Sequence, residues 1–318
     1  MSDNVLLMKA KTILFKREWI VLYILICVCI LFSAMNPNFL TTSNAMNVLR
    51  QVSINGVLAL GITFLIISGN TDLAGGSTMA FAGLIAADAM ANWRVGMIPA
   101  MMLAILTSVL VCAITGVIVA IGKIPAFIVT LGMAQAVRGV TMLWSSGMPI
   151  GRLPRSFTNI GTQFLLGIPI PVYIYAACIA YAVFFLKKTP LGRYTYAIGG
   201  NQEATRLSGV NVDLCKIKIY LIHGVMVGIA GIIITARVQS GQPGIGAGYE
   251  LDAIAATVIG GTSFGGGVGT VFGAVVGAII MGVIQNGLDL MLMSPFYQQV
   301  VKGVIIISAV LLDRKRKL

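Results

Sequence analysis

The chain of 318 residues holds one histidine and ten acidic residues, so acid–base or metal chemistry must come from very few side chains. His223 sits in an apolar run beside Gly224. Histidine in such a place is more often a hydrogen-bonded packing residue than a proton carrier. Asp72, Glu250, Asp252 and Asp289 are separate along the chain and close to the ends of apolar runs, where capping a helix or lining a mouth costs less than a mid-span charge. A proton-driven carrier needs an acid or a histidine at mid-span, and Asp88 and His223 are the two residues that approach this. No catalytic constellation emerges, so the reading is a protein that is not an enzyme.

The glycine-rich segment at 260–269, GGTSFGGGVG, invites comparison with a phosphate loop. Such a loop needs Lys and then Ser or Thr after its last glycine to reach the phosphates. Here Gly266 is followed by Gly267 and Val268, so no nucleotide site and no cofactor of the chain's own is expected. Gly269, Gly273 and Gly277 recur every four residues, which lays a flat stripe along one helix face for close helix packing. The five cysteines follow no disulfide or zinc spacing. Cys27, Cys29, Cys112 and Cys178 lie in apolar blocks and Cys215 in a basic loop; they read as small buried hydrophobes.

These residues must be held by membrane-spanning helices. The chain is 58% hydrophobic and only 10% charged, with a mean hydropathy of +0.94; soluble domains carry about 25% charged residues. The net charge of +12 is not arranged as a basic stripe with interleaved aromatics, which argues against nucleic acid. It flanks apolar segments, facing anionic lipid headgroups: Lys9, Lys11, Lys16 and Arg17 at one end, Arg314, Lys315, Arg316 and Lys317 at the other, and Lys187, Lys188, Arg193, Arg206, Lys216 and Lys218 around one loop.

A span needs ~20 apolar residues. About ten candidates occur, at 19–35, 54–68, 76–93, 96–121, 124–145, 168–186, 217–236, 250–262, 268–291 and 298–312. They make a single, all-α, polytopic domain over 1–318. The first is read as an uncleaved span, because no small-residue cleavage site follows it. The segment at 250–262 is short and starts with acids, as a tilted, broken or re-entrant piece would. An even count puts both termini on one side. The positive-inside rule makes that side, and the loop at about 187–216, cytoplasmic; Arg50, Arg94, Arg152 and Arg155 then fall outside.

That loop carries a short helix signature. Asn201 can cap, Glu203 falls in the first turn, Arg206 in the last, and Gly209 sits where a left-handed residue ends a helix. A helix under ~12 residues is marginal in water and needs a surface to dock on, for which Ala204, Leu207 and Val210 supply an apolar edge. An ordinary basic surface loop is the alternative reading. Elsewhere, residues 69–87 lie over 260–278 without gaps, matching Gly69, Thr71, Gly75, Gly76, Phe81 and Ala87 to Gly260, Thr262, Gly266, Gly267, Phe272 and Ala278. Repeated spans with glycine-rich breaks are a transporter feature, and chance matching of Gly/Ala-rich segments is the competing account.

The loop sequence TPLGRYTYAIGGNQEATRLSGVNV resembles the membrane subunit of ribose-type ABC sugar importers. So do NPNFLTTSNAMNVLRQ (36–51), VRGVTM (137–142), GYELDAIAATVIGGTSFGGGVGT (248–270) and VVKGVIII (300–307). The match runs in order from about Asn36 to Asp313. It implies half of a homodimeric pore in the bacterial inner membrane, with a cytoplasmic ABC ATPase pair beneath and a periplasmic sugar-binding protein above. ATP and Mg would be bound by the ATPase partner. Glu203, Ala204, Arg206, Leu207, Ser208 and Gly209 would form the coupling helix. Where the family reads GGIDLSVGS this chain has GNTDLAGGS. Asn70 and Thr71 are therefore the specificity candidates among the pathway residues Asn55, Asn70, Thr71, Asp72 and Asn286, and Phe127 is a candidate apolar gate. An autonomous proton- or ion-coupled secondary transporter is the alternative function.

Overall fold

The computed structural model describes residues 17–315, with side chains from 21 to 311. The terminal lysines Lys9, Lys11, Lys16 and Lys317 lie outside the described residues, as do the side chains of Arg17, Arg314 and Lys315. Among the described residues thirteen α-helices follow one another: α1 Arg17–Met35, α2 Thr42–Ile67, α3 Gly75–Ala91, α4 Met97–Ile121, α5 Ala126–Trp144, α6 Arg155–Thr162, α7 Ile170–Lys188, α8 Pro190–Gly200, α9 Gln202–Leu207, α10 Val212–Val238, α11 Tyr249–Ile259, α12 Val271–Leu290 and α13 Pro295–Lys315. Each of the ten apolar segments coincides with a helix. Six of these, α2, α4, α5, α7, α10 and α12, are long and apolar enough to cross a membrane. The segment at 250–262 contains the eleven-residue α11, whose length of ~16 Å falls well short of a ~30 Å hydrocarbon core.

The helices α6 and α8 and the hairpin after α6 were not expected from the sequence. Thr189 caps α8, its hydroxyl accepting from Gly192 N at 3.0 Å, with Pro190 in the first turn. Between α5 and α7, α6 is followed by a two-residue hairpin of β1 Phe164–Leu165 and β2 Ile168–Pro169. Its turn residues Leu166 and Gly167 both have positive φ, as a type I′ turn requires.

The core is built from two sets of three helices running in opposite senses. α2 and α10 are antiparallel: Gly61 faces His223 and Met226, while Tyr220 Oη donates to Thr71 O at 3.0 Å. After α2 the chain breaks at 68–74 and re-enters the protein, and α3 then runs parallel to α10, Gly75 beside His223 and Gly83 against Gly231 and Thr235. After α10 the chain breaks at 239–248 and α11 runs parallel to α2, Thr257 Oγ1 reaching Ala59 O at 3.2 Å. α4 packs antiparallel on α10 through Gly116, Gly224 and Gly228, and α12 packs antiparallel on α2, Gly282 against Val52 and the preceding loop's Gly269 against Ile67. Thus α2–α3–α4 and α10–α11–α12 correspond with inverted direction. The gapless match of 69–87 with 260–278 instead sets the start of α3 on the loop before α12. Segments so rich in Gly and Ala align by composition in more than one register.

Gly269 also departs from expectation: it precedes α12 and lies in the loop, because the helix starts only after Thr270, whose hydroxyl accepts from Gly273 N at 3.0 Å. Gly273 and Gly277 do lie on the helix. A Cβ on either would overlap a backbone carbonyl of the neighbouring segment, Gly260 O and Ala256 O respectively.

The two ends of the bundle differ in what they gather. One end holds the C-terminus of α2, the α4–α5 turn with Lys123, α8, α9 and the start of α10 with Lys216 and Lys218; Gly267 N donates to Ile67 O at 2.8 Å there. Gly199 of α8 is wedged against both Ile67 and Gly267. The other end holds α6 and the hairpin, with Arg50 stacked 5.0 Å from the Phe164 ring centroid. The outward face of α4 carries Ile98, Met102, Leu106, Leu110, Ile114, Val117 and Ile121, all exposed. This all-apolar stripe, repeating every three or four residues, suits contact with lipid chains.

Candidate functional site: an exposed short helix and a buried polar centre

The short helix α9 forms as its residues dictate. Asn201 Oδ1 accepts from Ala204 N at 2.9 Å, satisfying one of the free N–H groups of the first turn. Gly209 follows the helix with φ +85°, the left-handed conformation that costs glycine least. Thr205 is buried and anchors the helix against the protein, while Glu203, Ala204, Leu207, Ser208 and Gly209 face outward. Leu207 is 86% exposed, which is costly for a leucine in water. Arg206 forms an ion pair with Asp213 at 3.3 Å, both about 40% exposed, so the pair is worth little in isolation but ties α9 to the first turn of α10.

Beneath α9 lies a polar cavity of about 380 Å³. Gly69 and Asn70 of the first break, Lys123 and Pro125 of the α4–α5 turn, and Glu203, Arg206 and Lys216 line it. Asn70 is held by its own turn, Nδ2 donating to Ser68 O and Ser68 Oγ at 3.2 and 3.0 Å. Phe127 stands in the first turn of α5 and is exposed.

The first break turns inward to a fully buried hydrogen-bonded pair, Asp72 with His223. Asp72 Oδ1 accepts from Ala74 N at 2.8 Å, just ahead of α3. Its Oδ2 lies 2.8 Å from His223 Nε2, with both side chains sealed from solvent. The Cys112 thiol joins them: one donor atom from each of Asp72, Cys112 and His223 falls within 4.8 Å of the others. This is the one set among the described residues with the arrangement of a metal site; carboxylate and imidazole already satisfy each other, and the pair needs no ion to explain its geometry. Thr71 Oγ1 and His223 Nδ1 are buried with no hydrogen-bond partner.

The remaining pathway candidates are not brought to this centre. Asn286 pairs with Asn44 near the start of α2, far from Asn70. Asn55 lies midway along α2 with Oδ1 unpaired, one residue before Gly56, which faces the Tyr175 ring.

A second polar group escaped the sequence reading of sites. Arg138 Nη1 on α5 donates to Pro243 O and Ile245 O at 2.7 and 2.9 Å, pinning the second break. Next to it Glu250 Oε1 accepts from Gly248 N at 3.2 Å, and Asp252 binds Lys302 Nζ of α13 at 2.7 Å. The motifs GYELD and VVKG carried the signal, but the contact joining them spans 50 positions.

A polytopic helical bundle with two chain breaks inside it and a short helix displayed at one end has the build of a membrane transporter. The family model described as branched-chain amino acid transport system / permease component matches residues 44–310. "Ribose import permease protein RbsC" of Haemophilus influenzae is 43% identical over 302 residues, covering 94% of this chain and 92% of that protein. The protein of the same name from Escherichia coli K12 is 42% identical, covering 95% and 97%. "L-arabinose transport system permease protein AraH" of E. coli K12 is 38% identical, covering 95% and 93%. No solved structure matches. The chain belongs to this permease family, and within it to the ribose-type ABC permeases.

Proposed function

We propose that this protein is the membrane-spanning subunit of an ATP-binding-cassette importer that carries a monosaccharide, ribose or a similar sugar, into the cytoplasm. Relatives named for ribose import and for L-arabinose transport, matched over nearly their full length, support the substrate class. The permease hydrolyses nothing. A cytoplasmic ATPase binds ATP and Mg, a periplasmic binding protein delivers sugar, and two copies of the chain form the pore, with both termini in the cytoplasm.

The observation that carries the reading is α9. A six-residue helix that displays Leu207 and Ala204 to the outside is built to be covered by a partner. Closure of the ATPases would move α9, and the helix bundle would switch between outward- and inward-facing packings biased by that movement. The pore itself needs only weak polar contacts, since tight binding would slow release.

The test is uptake of labelled ribose by membrane vesicles holding permease, ATPase and binding protein. Leu207→Asp should abolish copurification of the ATPase and ATP-dependent uptake while leaving the permease inserted. Uptake that persists without any ATPase would replace this reading with a secondary carrier.

A further inference from the structure

The hairpin between α6 and α7 is built against the rules for a turn in water. Its two central residues, Leu166 and Gly167, have φ of +50° and +79°. Asn, Asp or Gly fills the first of these positions at little cost, whereas a bulky side chain at positive φ is strained. Leu166 takes that strain and is also 91% exposed. Phe164, Leu165 and Ile168 around it are exposed as well. No polar side chain lies between Gln163 and Tyr173. An apolar tip gains nothing from water, and strain held at such a place points to a use.

The hairpin's position names the medium that covers it. β2 runs straight into α7, which is long and apolar enough to cross a membrane. Tyr173 Oη, from the first turn of α7, donates to Leu165 O at 2.9 Å and ties the hairpin to the flank of that helix. Tyr173 also begins an exposed stripe with Ala177, Ala180 and Phe184, spaced as one helix face. The hairpin is thus continuous with a face turned to lipid. Tyrosine at the end of such a stripe stands where the membrane–water interface favours it.

Beside the hairpin stands unanswered positive charge. The Arg50 guanidinium of α2 lies 5.0 Å from the centroid of the Phe164 ring, and its Nε is buried with no hydrogen-bond partner. Arg237, one residue from the end of α10, is within electrostatic reach of Arg50. Neither arginine forms an ion pair among the described residues. Two neighbouring cations repel each other, and an anion beside them relieves that repulsion. The planar fork of a guanidinium suits the paired oxygens of a phosphate.

We infer that the hairpin at 164–169 and Arg50 form a phospholipid site. Phe164, Leu165, Leu166 and Ile168 enter the acyl boundary of the leaflet at this end of the protein. Arg50, backed by the charge of Arg237, holds the phosphate of a lipid headgroup. Headgroups with net negative charge are favoured, because no carboxylate balances the two cations. The site fastens α2, through Arg50, and α7, through Tyr173, to one depth in the membrane. It requires only that the chain spans a bilayer, whichever cargo crosses and whichever end faces outward.

The experiment uses the assembled transporter in vesicles of phosphatidylcholine and phosphatidylglycerol, with the native cysteines replaced. A fluorophore is attached at Leu166→Cys or, for comparison, at Arg152→Cys, which is exposed at the same end. At Leu166→Cys a nitroxide on the upper acyl chain should quench more strongly than aqueous iodide; at Arg152→Cys the order should reverse. Stronger quenching of Leu166→Cys by iodide overturns the immersed tip. Exclusion of both quenchers means that a protein surface, the binding protein or a second copy, covers the tip, and it overturns the lipid site. Moving the nitroxide from phosphatidylcholine to phosphatidylglycerol should strengthen quenching about fivefold, the weight of one arginine near a charged membrane surface. Arg50→Gln should remove that preference and Arg50→Lys should keep most of it, with the tip still immersed in both. Equal quenching by the two lipids overturns the headgroup site. A preference abolished by added inorganic phosphate makes free phosphate the ligand and overturns it as well.

Discussion

Asn44 and Asn286 exchange two side-chain hydrogen bonds, each 2.8 Å long, across 242 positions of sequence. Asn44 Nδ2 donates to Phe39 O as well. The reciprocal amide pair ties α2 to α12 and both to the short turn after α1. Replacing Asn286 with Ala removes both Asn286 bonds from the buried Asn44 amide, leaving its Oδ1 unpaired and Phe39 O as its one remaining side-chain partner, and should cost about 1–3 kcal/mol. Thermal unfolding in detergent measures it. A midpoint unchanged from wild type would mean that Asn286 is free to serve the pathway instead.

The glycines of α12 make a second prediction about packing. Gly277→Ala should destabilise by about 1–3 kcal/mol, because the added methyl overlaps the Ala256 carbonyl and backbone cannot step aside. Gly132→Ala on α5 meets nothing within 4 Å in the protomer and is the control. If both variants unfold at the wild-type temperature, the α11–α12 contact is looser than described.

Orientation is tested by labelling. The end that gathers Lys123, Arg206, Lys216 and Lys218 is expected in the cytoplasm and the end with Arg50, Arg152 and Arg155 outside. In a cysteine-free chain, an impermeant reagent added to intact cells should label Arg152→Cys and leave Arg206→Cys untouched. Labelling at 206 would invert the protein.

Sugar choice gives the fourth prediction. Asn70 lines the cavity under α9, and Thr71 keeps an unpaired buried hydroxyl. Asn70→Gly and Thr71→Ile should change the ratio of uptake among pentoses and hexoses by about two- to tenfold, the scale of one ~1 kcal/mol hydrogen bond. Identical preferences for every sugar would leave selection to the binding protein.

Local features were readable in the sequence because neighbouring residues cause them. The Asn201 cap and the left-handed Gly209 bracket α9 as their chemistry requires, and each apolar run became a helix. Contacts between distant residues were not readable. Asp72 and His223 are 151 positions apart, and neither residue's neighbours announce the other. Asp72 looked like a helix cap, and it does accept from Ala74 N; its second oxygen meets His223 Nε2. The inverted relation of the two helix triplets was hidden for a different reason. It is a matter of chain direction, while the Gly/Ala-rich sequences offered a misleading register in the same direction.

Gly199 sits in backbone-to-backbone contact with Ile67 on one side and Gly267 on the other, three residues before the start of the exposed helix. Side chains between moving parts act as cushions, since a rotamer change absorbs displacement before it is passed on. Here there is no cushion. A push on α9 reaches the ends of α2 and of the loop before α12 as a rigid lever would deliver it, with both triplets loaded at once and no slack to take up first.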